Sequence, residues 1–326
     1  MDNNFNFKIK LEESGKRIDK ILSIKFKEIS RSKIKHLIKS GNLLINNYTI
    51  LDPSKKVKKI DIVKFKIEEQ NKILIKPYNY KLDIVFEDKD LLVINKRAGI
   101  SVHPGAGNYD KTIVNALIYK YGKNLSNCGD LFRPGIVHRI DKNTSGLIVV
   151  AKNNRCHENL SNQFKNHSVN RIYLALVWGK LRPQKGKIEN FIKRSSRNRQ
   201  LMEVSLTRGK KAITNYKTLA IYENKYIPTF SLIECKLETG RTHQIRVHFS
   251  NLGNPILGDN QYKKKFKKLR DIDKDLETQI INLDRQFLHA KQLGFDHPRT
   301  EERLEFSSNI PKELSDILKK LRKLSK

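Results

Sequence analysis

The chain has 326 residues, of which 66 are basic and 34 acidic, for a formal net charge of +32 at pH 7. This surplus predicts a polyanionic partner, and nucleic acid comes first, although A+T-biased coding rich in Lys, Asn and Ile accounts for part of it. No apolar run approaches the roughly 18 residues of a membrane span, and the first residues lack the apolar core of a signal peptide, so we expect a soluble, cytoplasmic protein with no membrane association.

The first predicted unit is a small domain over residues 1–66 with its core in 16–66. A first helix is predicted from the approximately helical spacing of Ile18, Ile21, Leu22, Ile24 and Ile29. Ser30 is the predicted N-cap of a second helix that Gly41 ends, and Asn46-Asn47 is the predicted turn between two short strands. Residues 58–65 alternate as a further strand. Two helices and short strands can close a core of this size.

Basic side chains dominate this front part. Residues 1–80 hold 19 basic and 9 acidic side chains, a net of +10. With the apolar faces buried, the lysines are left on the outer faces, and we predict that Lys33 and Lys35 of the second helix contact RNA. Residues 67–80 carry little pattern and are predicted to be a linker.

The second predicted domain, residues 81–326, mixes strands and helices without regular alternation. Strand-like apolar runs lie at 91–94, 147–151, 172–178, 213–221, 229–237 and 245–249. Helical patterns cover 112–122, 156–167 and 311–324, and a lysine-rich insert covers 263–275. This texture predicts an α+β fold, with a mixed, largely antiparallel sheet and flanking helices.

Residues 135–152, GIVHRIDKNTSGLIVVAK, place His138, Arg139 and Asp141 at a polar turn between two apolar runs. Taken alone, Asp141 is an ordinary turn residue. However, Arg139 lies two positions earlier on the predicted strand, hence on the same face, and the small turn residues permit close approach of a ligand. An aspartate at a strand end can act as nucleophile or general base if a cation keeps it ionised.

Residues 238–259, ETGRTHQIRVHFSNLGNPILGD, supply candidate cations. Arg241, His243 and Gln244 follow Gly240. Apolar residues at 245, 247 and 249 then alternate with Arg246 and His248. The alternation predicts a strand on which Arg246 faces away from the apolar side and can pair with a carboxylate or phosphate. The alternative, a solvated strand face, is weakened by the density of polar side chains.

Residues 170–180, NRIYLALVWGK, form a predicted strand with Tyr173 on one face. A strand tyrosine usually fills the core. Tyr173 could instead form the wall of a pocket and stack on a base.

Metal and nucleotide motifs are absent from the sequence. Cys128, Cys156 and Cys235 are isolated, which excludes a zinc ribbon or disulfide framework and favours reduced thiols. There is no HExxH motif, the histidines are scattered, and the glycine-rich stretch 102–108 fits neither the dinucleotide nor the P-loop pattern. We predict no metal site.

Three of these stretches, HRIDKNTSGLIVVAK, RIYLALVWG and TGRTHQIRVHFSNLGNPILGD, resemble the signature segments of the RluA/RluD family of RNA pseudouridine synthases. FLHAKQLGFDHP, residues 287–298, resembles a further family segment, and the front unit is similar to the S4 RNA-binding domain. LDIVFEDKD and VHPGAGN look closest to the RluD branch, which modifies helix 69 of large-subunit ribosomal RNA. The departures are Ile140 for the usual Leu and Arg97 for the Pro of the NKP pattern.

The resemblance implies the pseudouridine synthase fold and a uridine-to-pseudouridine isomerisation. It implies that Asp141 is the catalytic aspartate, Arg246 its salt-bridge partner and Tyr173 the stacking residue. Further RNA contacts are expected from Arg139, His138, Arg241, His243 and Gln244. The reaction is redox-neutral and adds no group, so no cofactor is implied, and the expected partner is ribosomal RNA bound by a monomer.

Two other kinds of function stay open. The chain could act on other 23S ribosomal RNA sites or on tRNA, or be a non-catalytic RNA-binding assembly factor. The presence of both Asp141 and Arg246 disfavours the non-catalytic alternative. A glycoside hydrolase would need two cooperating carboxylates, whereas basic residues surround Asp141.

Overall fold

The computed structural model describes residues 4–26, 29, 31–67, 75–105, 107–122, 124–128, 133–225, 227–262 and 273–325, with no side chains at 32 and 33. The predicted cap at Ser30, the side chain of Lys33 and residues 263–272 of the predicted insert lie outside this description. The chain divides into two compact units, Met1–Ile75 with Asn127–Pro134, and Lys76–Ser126 with Gly135–Lys326. The domain boundaries that the sequence predicts, at residues 66 and 81, remain a prediction.

The first unit packs two helices on a four-stranded antiparallel sheet. Its elements are β1 (Asn4–Lys8), α1 (Ile18–Lys25), α2 (Arg31–Lys39), β2 (Leu43–Ile45), β3 (Tyr48–Thr49) and β4 (Ile62–Lys66), with strand order β1-β4-β2-β3. Asn46 and Asn47 both have positive φ, which suits the tight turn between β2 and β3. Ile18, Ile21 and Leu22 are buried in the core, whereas Ile24 is exposed.

The second unit is built on a ten-stranded sheet. Its first elements are β5 (Ile84–Glu87), β6 (Leu91–Lys96), α3 (Ile113–Tyr121), β7 (Ser145–Ala151), α4 (Asn154–Lys165), β8 (Asn170–Trp178), β9 (Lys185–Arg194) and β10 (Met202–Ser205). They are followed by β11 (Lys210–Asn224), β12 (Ile227–Leu237), α5 (Gln244–Asn251), α6 (Lys274–Asn282), β13 (Leu288–Asp296), β14 (Arg303–Ser307) and α7 (Lys312–Leu324). No helix in the described ranges is long and apolar enough to cross a membrane.

The strand order is β10-β9-β11-β12-β8-β13-β7-β6-β5, with β14 paired to β13. Each described pairing is antiparallel except that of β7 with β13, where His289 lies opposite Ser145 and Ala290 opposite Gly146. Apolar residues of β6, β7, β13 and α4 form one buried cluster, which includes Val149, Leu160 and Phe295. The mixed, largely antiparallel sheet with flanking helices confirms the predicted α+β class.

Two predicted strands are wrong. Residues 245–249 belong to helix α5, which starts after His243 in the left-handed conformation (φ 56°). All residues from Gln244 to Phe249 are buried, so the alternation of polar and apolar side chains did not mark two faces of a strand. The segment before Asp141 is also not a strand, because only Ile136 makes an isolated bridge there. Arg139 and Asp141 are therefore not placed by a common strand face.

Candidate active site

Asp141 opens a tight turn that leads into β7. The backbone N–H of Thr144 donates to the carbonyl of Asp141 at 3.1 Å and closes the turn. β7 then passes so close to β13 that a Cβ on Gly146 would lie 2.2 Å from the carbonyl oxygen of Ala290. Gly146 also has φ +115°, which disfavours any other residue. This glycine therefore fixes the start of β7, and with it the position of the turn.

Three side chains distant in sequence hold this turn, two through its backbone and one through a side chain. Lys96 Nζ donates to the carbonyl of Lys142 at 2.9 Å, Arg285 Nη1 to the carbonyl of Asn143 at 3.1 Å, and Gln286 Nε2 to Oγ1 of Thr144 at 3.0 Å. Lys96 is fully buried and also donates to the carbonyls of Arg97 and Ile100, so all three of its donors are used. Burial lowers the pKa of Lys96 to about 7, while the charge of Asp141 opposes this shift. The turn is thus fixed by buried groups.

Arg246 lies in α5 and contacts two carboxylates. Its Nη1 donates to Oδ2 of Asp141 at 3.0 Å, while Nε and Nη2 donate to the two oxygens of Asp259 at 2.7 and 2.9 Å. Nη2 also donates to Oε1 of Gln261 at 2.7 Å, and the guanidinium lies 4.9 Å from the ring centre of Tyr262. Burial disfavours the charge of Arg246, but its hydrogen bonds with Asp259 and its attraction to Asp141 outweigh burial and raise its pKa. The two-pronged pairing is therefore with Asp259, and Asp141 receives one bond.

The second oxygen of Asp141 is open. Within the described ranges Oδ1 accepts no hydrogen bond, and Nε2 of His243 lies 3.9 Å from it. Nδ1 of His243 lies 2.7 Å from the hydroxyl of Tyr262, which accepts from the N–H of Met202 at 2.8 Å. Burial lowers the pKa of His243, with Asp141 opposing, so we infer a neutral ring that accepts from Tyr262 at Nδ1 and carries its proton on Nε2. Oδ1 is the oxygen of Asp141 that is available to react.

A cleft of about 590 Å³, open to solvent, borders Asp141. Its walls come from the Asp141 turn, from β8 and from the segment that leads into α5. Tyr173 of β8 lines it and is 7% exposed, and burial raises the pKa of its phenol to about 12, so the ring stays neutral. Leu237, Ile245 and Leu288 add apolar wall. An open cleft with an aromatic ring and a carboxylate in its wall suits one nucleic acid base taken out of its stack.

A second open cleft, of about 820 Å³, also borders Asp141. It shares five residues with the first cleft, namely Arg139, Ile140, Asp141, His243 and Arg246. Its other walls are mostly polar, with Lys142, Asn143, Asn260 and Gln261 among them. The carboxylate of Asp141 thus stands where the two clefts meet.

Besides Gln244, three of the predicted RNA contacts line the clefts, namely Arg139, Arg241 and His243. Arg139 is exposed, and its Nη1 lies 2.7 Å from Nε2 of His103. Arg241 donates through Nε to the carbonyl of Lys211 at 2.9 Å and lines the first cleft. His243 borders both clefts. The structure therefore brings these three predicted residues together with Asp141, Arg246 and Tyr173.

The other predicted RNA contacts are used inside the protein. Nε2 of His138 accepts from the N–H of Val149 at 3.0 Å, its ring stacks on Phe164, and burial lowers its pKa to about 3. The Gln244 amide uses all four of its hydrogen-bonding positions, with Thr239, the N–H of Arg241, the carbonyl of Ile213 and Thr214. Lys35 is partly exposed on the first unit, 3.8 Å from the buried Asp19. None of these three offers its polar atoms to the cleft.

Sequence reasoning missed four residues of the site, namely Lys96, Asp259, Gln261 and Tyr262. Asp259 follows Arg246 by 13 positions, and no helical or strand period relates the two. Lys96 was the buried lysine of an otherwise apolar strand, a signal that a polar partner had to be near.

One group of potential metal ligands lies elsewhere, at Asp88, Asp90 and His297, whose ligand atoms are within 4.8 Å of one another. His297 Nε2 lies 2.8 Å from Oδ2 of Asp88, and Arg299 contacts Asp90. The carboxylates are thus paired with basic side chains. None of these four residues lines either cleft beside Asp141.

The chain matches two family models, the RNA pseudouridylate synthase model over residues 90–251 and the S4 domain model over residues 16–63. It is 44% identical over 312 residues to the ribosomal large subunit pseudouridine synthase D of Zymomonas mobilis, with 95% of each chain covered. It is 38% identical to an uncharacterized RNA pseudouridine synthase, YlyB, of Bacillus subtilis, with 96% of each chain covered.

Two solved structures resemble about three quarters of the chain. Human RNA pseudouridylate synthase domain containing 4 superposes with a TM-score of 0.57 at 25% identity and covers 73% of this chain and 92% of its own. Human RNA pseudouridylate synthase domain containing 1 superposes with a TM-score of 0.55 at 25% identity and covers 75% and 96%. By these similarities the chain belongs to the RNA pseudouridine synthase family and carries an S4 domain ahead of the enzyme domain.

Proposed function

We propose that this enzyme isomerises uridine to pseudouridine in large-subunit (23S) ribosomal RNA, and that its target lies in helix 69. The observation that carries the proposal is the Asp141–Arg246 contact beside the cleft that Tyr173 lines. The large-subunit RNA is supported by the names of relatives, the Zymomonas mobilis protein and the 36% identical ribosomal large subunit pseudouridine synthase D of Vibrio cholerae. Helix 69 rests on the resemblance of residues 82–90 and 102–108 to the RluD branch.

In the proposed reaction the target uridine is flipped into the first cleft. A stacked base cannot rotate, and unstacking costs a few kcal/mol. Tyr173 would stack on the flipped ring, while Arg139, Arg241 and His243 would contact the nucleotide and its neighbours. The net charge of +32 supplies phosphate attraction that offsets the cost of flipping.

Asp141 would carry the chemistry through Oδ1, its open oxygen. Arg246 donates a hydrogen bond to Oδ2 of Asp141. This bond fixes the orientation of the carboxylate and leaves Oδ1 without a hydrogen bond from Arg246. Asp259 and Gln261 in turn orient Arg246, so they are positioning residues. Two routes need an ionised Asp141, namely attack on the anomeric carbon of the ribose and abstraction of a sugar proton to give a glycal. Either route releases uracil, which turns and rejoins through a carbon atom.

The test is to incubate the purified protein with unmodified 23S ribosomal RNA, with an assembling large subunit and with tRNA, and to map pseudouridines chemically. We expect new pseudouridines in helix 69, and none with the isosteric variant Asp141→Asn as the matched control. Modification elsewhere in 23S RNA or in tRNA would reject helix 69 and keep the enzyme class. No modification of any of the three would favour the non-catalytic assembly factor.

A further inference from the structure

Arg171 is a buried cation in the wall of the first cleft. It lies on β8 two residues before Tyr173, and since strand side chains alternate, the two project from the same face. Arg171 is 7% exposed and borders the cleft together with Tyr173 and Gly240.

The guanidinium of Arg171 is poorly satisfied by the protein. Nη2 donates to the carbonyl of Glu238 at 3.0 Å, and the group lies 5.4 Å from the ring centre of Phe164. The buried Nε has no hydrogen-bond partner in the described part of the chain. Across those same residues, Nη1 has no acceptor and no carboxylate lies within 4.0 Å of Arg171. Burial lowers its pKa.

Gly240 keeps the space that this guanidinium occupies. A Cβ built on Gly240 would lie 2.7 Å from Nη1 of Arg171. Its backbone is not in the left-handed region, so the requirement at this position is room and not backbone freedom. The glycine ahead of Arg241 thus lets Nη1 sit at the cleft wall.

A buried charge without an anionic partner is unfavourable unless a ligand supplies acceptors. The ligand of this cleft, by the proposed function, is uracil, whose two carbonyl oxygens are acceptors. We propose that Arg171 binds a carbonyl oxygen of the flipped uracil and stabilises the negative charge that the ring carries while it is detached from the ribose. This inference rests on the proposed function and adds a substrate-contacting residue to it.

The charge follows from the bonds that change. The bond between C1′ and N1 breaks, and its electron pair stays on the ring, where N1 and the carbonyl oxygens share it. The ring then turns and forms a bond from C5 to C1′. The proton on C5 is lost and N1 takes up a proton, so the product has the same atoms as the substrate. A cation beside a carbonyl oxygen acts most strongly on the detached, anionic ring, and therefore on rate more than on binding.

The test compares full-length parent, Arg171→Met and the control Arg155→Met under single-turnover conditions, on the RNA that the parent modifies. Arg155 is an exposed arginine of α4. We expect Arg171→Met to slow the reaction about 100-fold, the loss typical of one donor to a developing oxyanion, with RNA affinity within about threefold of the parent. Its melting temperature should be equal or higher, because an unpaired buried charge is replaced by an apolar side chain of similar length. Arg155→Met should match the parent.

Thiouridines test the carbonyl contact, because sulfur is a weaker acceptor than oxygen. With 2-thiouridine or 4-thiouridine at the target, the parent should slow with one of the two, and Arg171→Met should slow no further with that one. If Arg171→Met lowers the melting temperature instead, Gly240→Ala, which displaces Nη1 and keeps the charge, should still give the loss of rate.

Three outcomes would overturn the inference. An active parent with equally active Arg171→Met shows that Arg171 does not act in the reaction. A loss of RNA affinity as large as the loss of rate assigns Arg171 to a phosphate. A parent that forms no pseudouridine overturns the proposed function, and this inference with it.

Discussion

Arg246 pairs with Asp259 and also donates a hydrogen bond to Asp141. Arg246→Lys separates these two roles, because lysine keeps the charge and loses the planar fork. The parent side chain is 5% exposed and makes four hydrogen bonds, two to Asp259, one to Gln261 and one to Asp141. A single ammonium on a flexible stem cannot reach all three partners in this geometry. We expect it to stay with Asp259, whose side chain is 1% exposed and most needs a counter-charge.

The magnitude follows from the bonds that are lost. A hydrogen bond to a charged group contributes about 1.5–3 kcal/mol. Loss of the bond to Asp141 should therefore slow turnover roughly 10- to 150-fold, at about 1.36 kcal/mol per factor of ten. Loss of one bond to Asp259 should lower the free energy of unfolding by about the same 1.5–3 kcal/mol. Stability and rate should thus both fall.

The assay combines urea unfolding with single-turnover pseudouridine formation. The matched control is Arg303→Lys, which also lies between two carboxylates, 3.2 Å from Asp296 and 3.5 Å from Glu305, but is 40% exposed. We expect this control to lose less than about 1 kcal/mol and no rate. If Arg246→Lys turns over as fast as the parent, the single bond to Asp141 does not support catalysis and the reasoning fails.

Three further predictions concern Asp141, the front domain and Lys96. Asp141→Asn should abolish isomerisation and leave RNA affinity within a few-fold, because Arg246 keeps both bonds to Asp259; residual turnover above a few per cent would exclude Asp141 as the reacting group. Removal of residues 1–66 should leave an active enzyme with lower affinity and a shallower slope of log affinity against log salt, since fewer phosphates are neutralised; equal slopes would mean that this part does not touch RNA. Lys96→Met should change the pH dependence of stability: with a folded pKa of about 7 against about 10.4 unfolded, the unfolded parent binds more protons between these values, so its free energy of unfolding should rise with pH by up to about 1.4 kcal/mol per unit. Urea unfolding at pH 7 and pH 9 should show this rise in the parent only, and parallel changes would contradict it.

Patterns with one buried face were predicted well from sequence. Strands β8, β11 and β12 and the helices of the first unit have runs whose apolar period matches their structure. The Asp141–Arg246 contact was also expected, but from the resemblance of two motifs and not from any period.

The failure at α5 follows from the burial of a segment that contains polar residues. Helix α5 is buried from Gln244 to Phe249. The positions of its polar side chains are therefore set by hydrogen-bond partners elsewhere in the chain, and they show no helical period in the sequence. The bond between Arg246 and Asp259 depends on how the chain turns after α5, which local propensity does not encode. The contacts of Lys96 could not be predicted either, because its acceptors are backbone carbonyls, which every residue has.

Two of the three side chains that hold the Asp141 turn come late in the sequence, and they therefore determine when this site can form during synthesis of the chain. Gln286 contacts Thr144 across 142 positions, and His289 lies 2.9 Å from the hydroxyl of Ser145 across 144 positions. The strands of the first unit, by contrast, all come from the first 66 residues. The chain must therefore be translated as far as Gln286 and His289 before Asp141 is held in place, whereas the strands of the front unit are all present once residue 66 has been translated. In a nascent chain of this enzyme the sheet of the front unit can thus close long before the Asp141 turn is held.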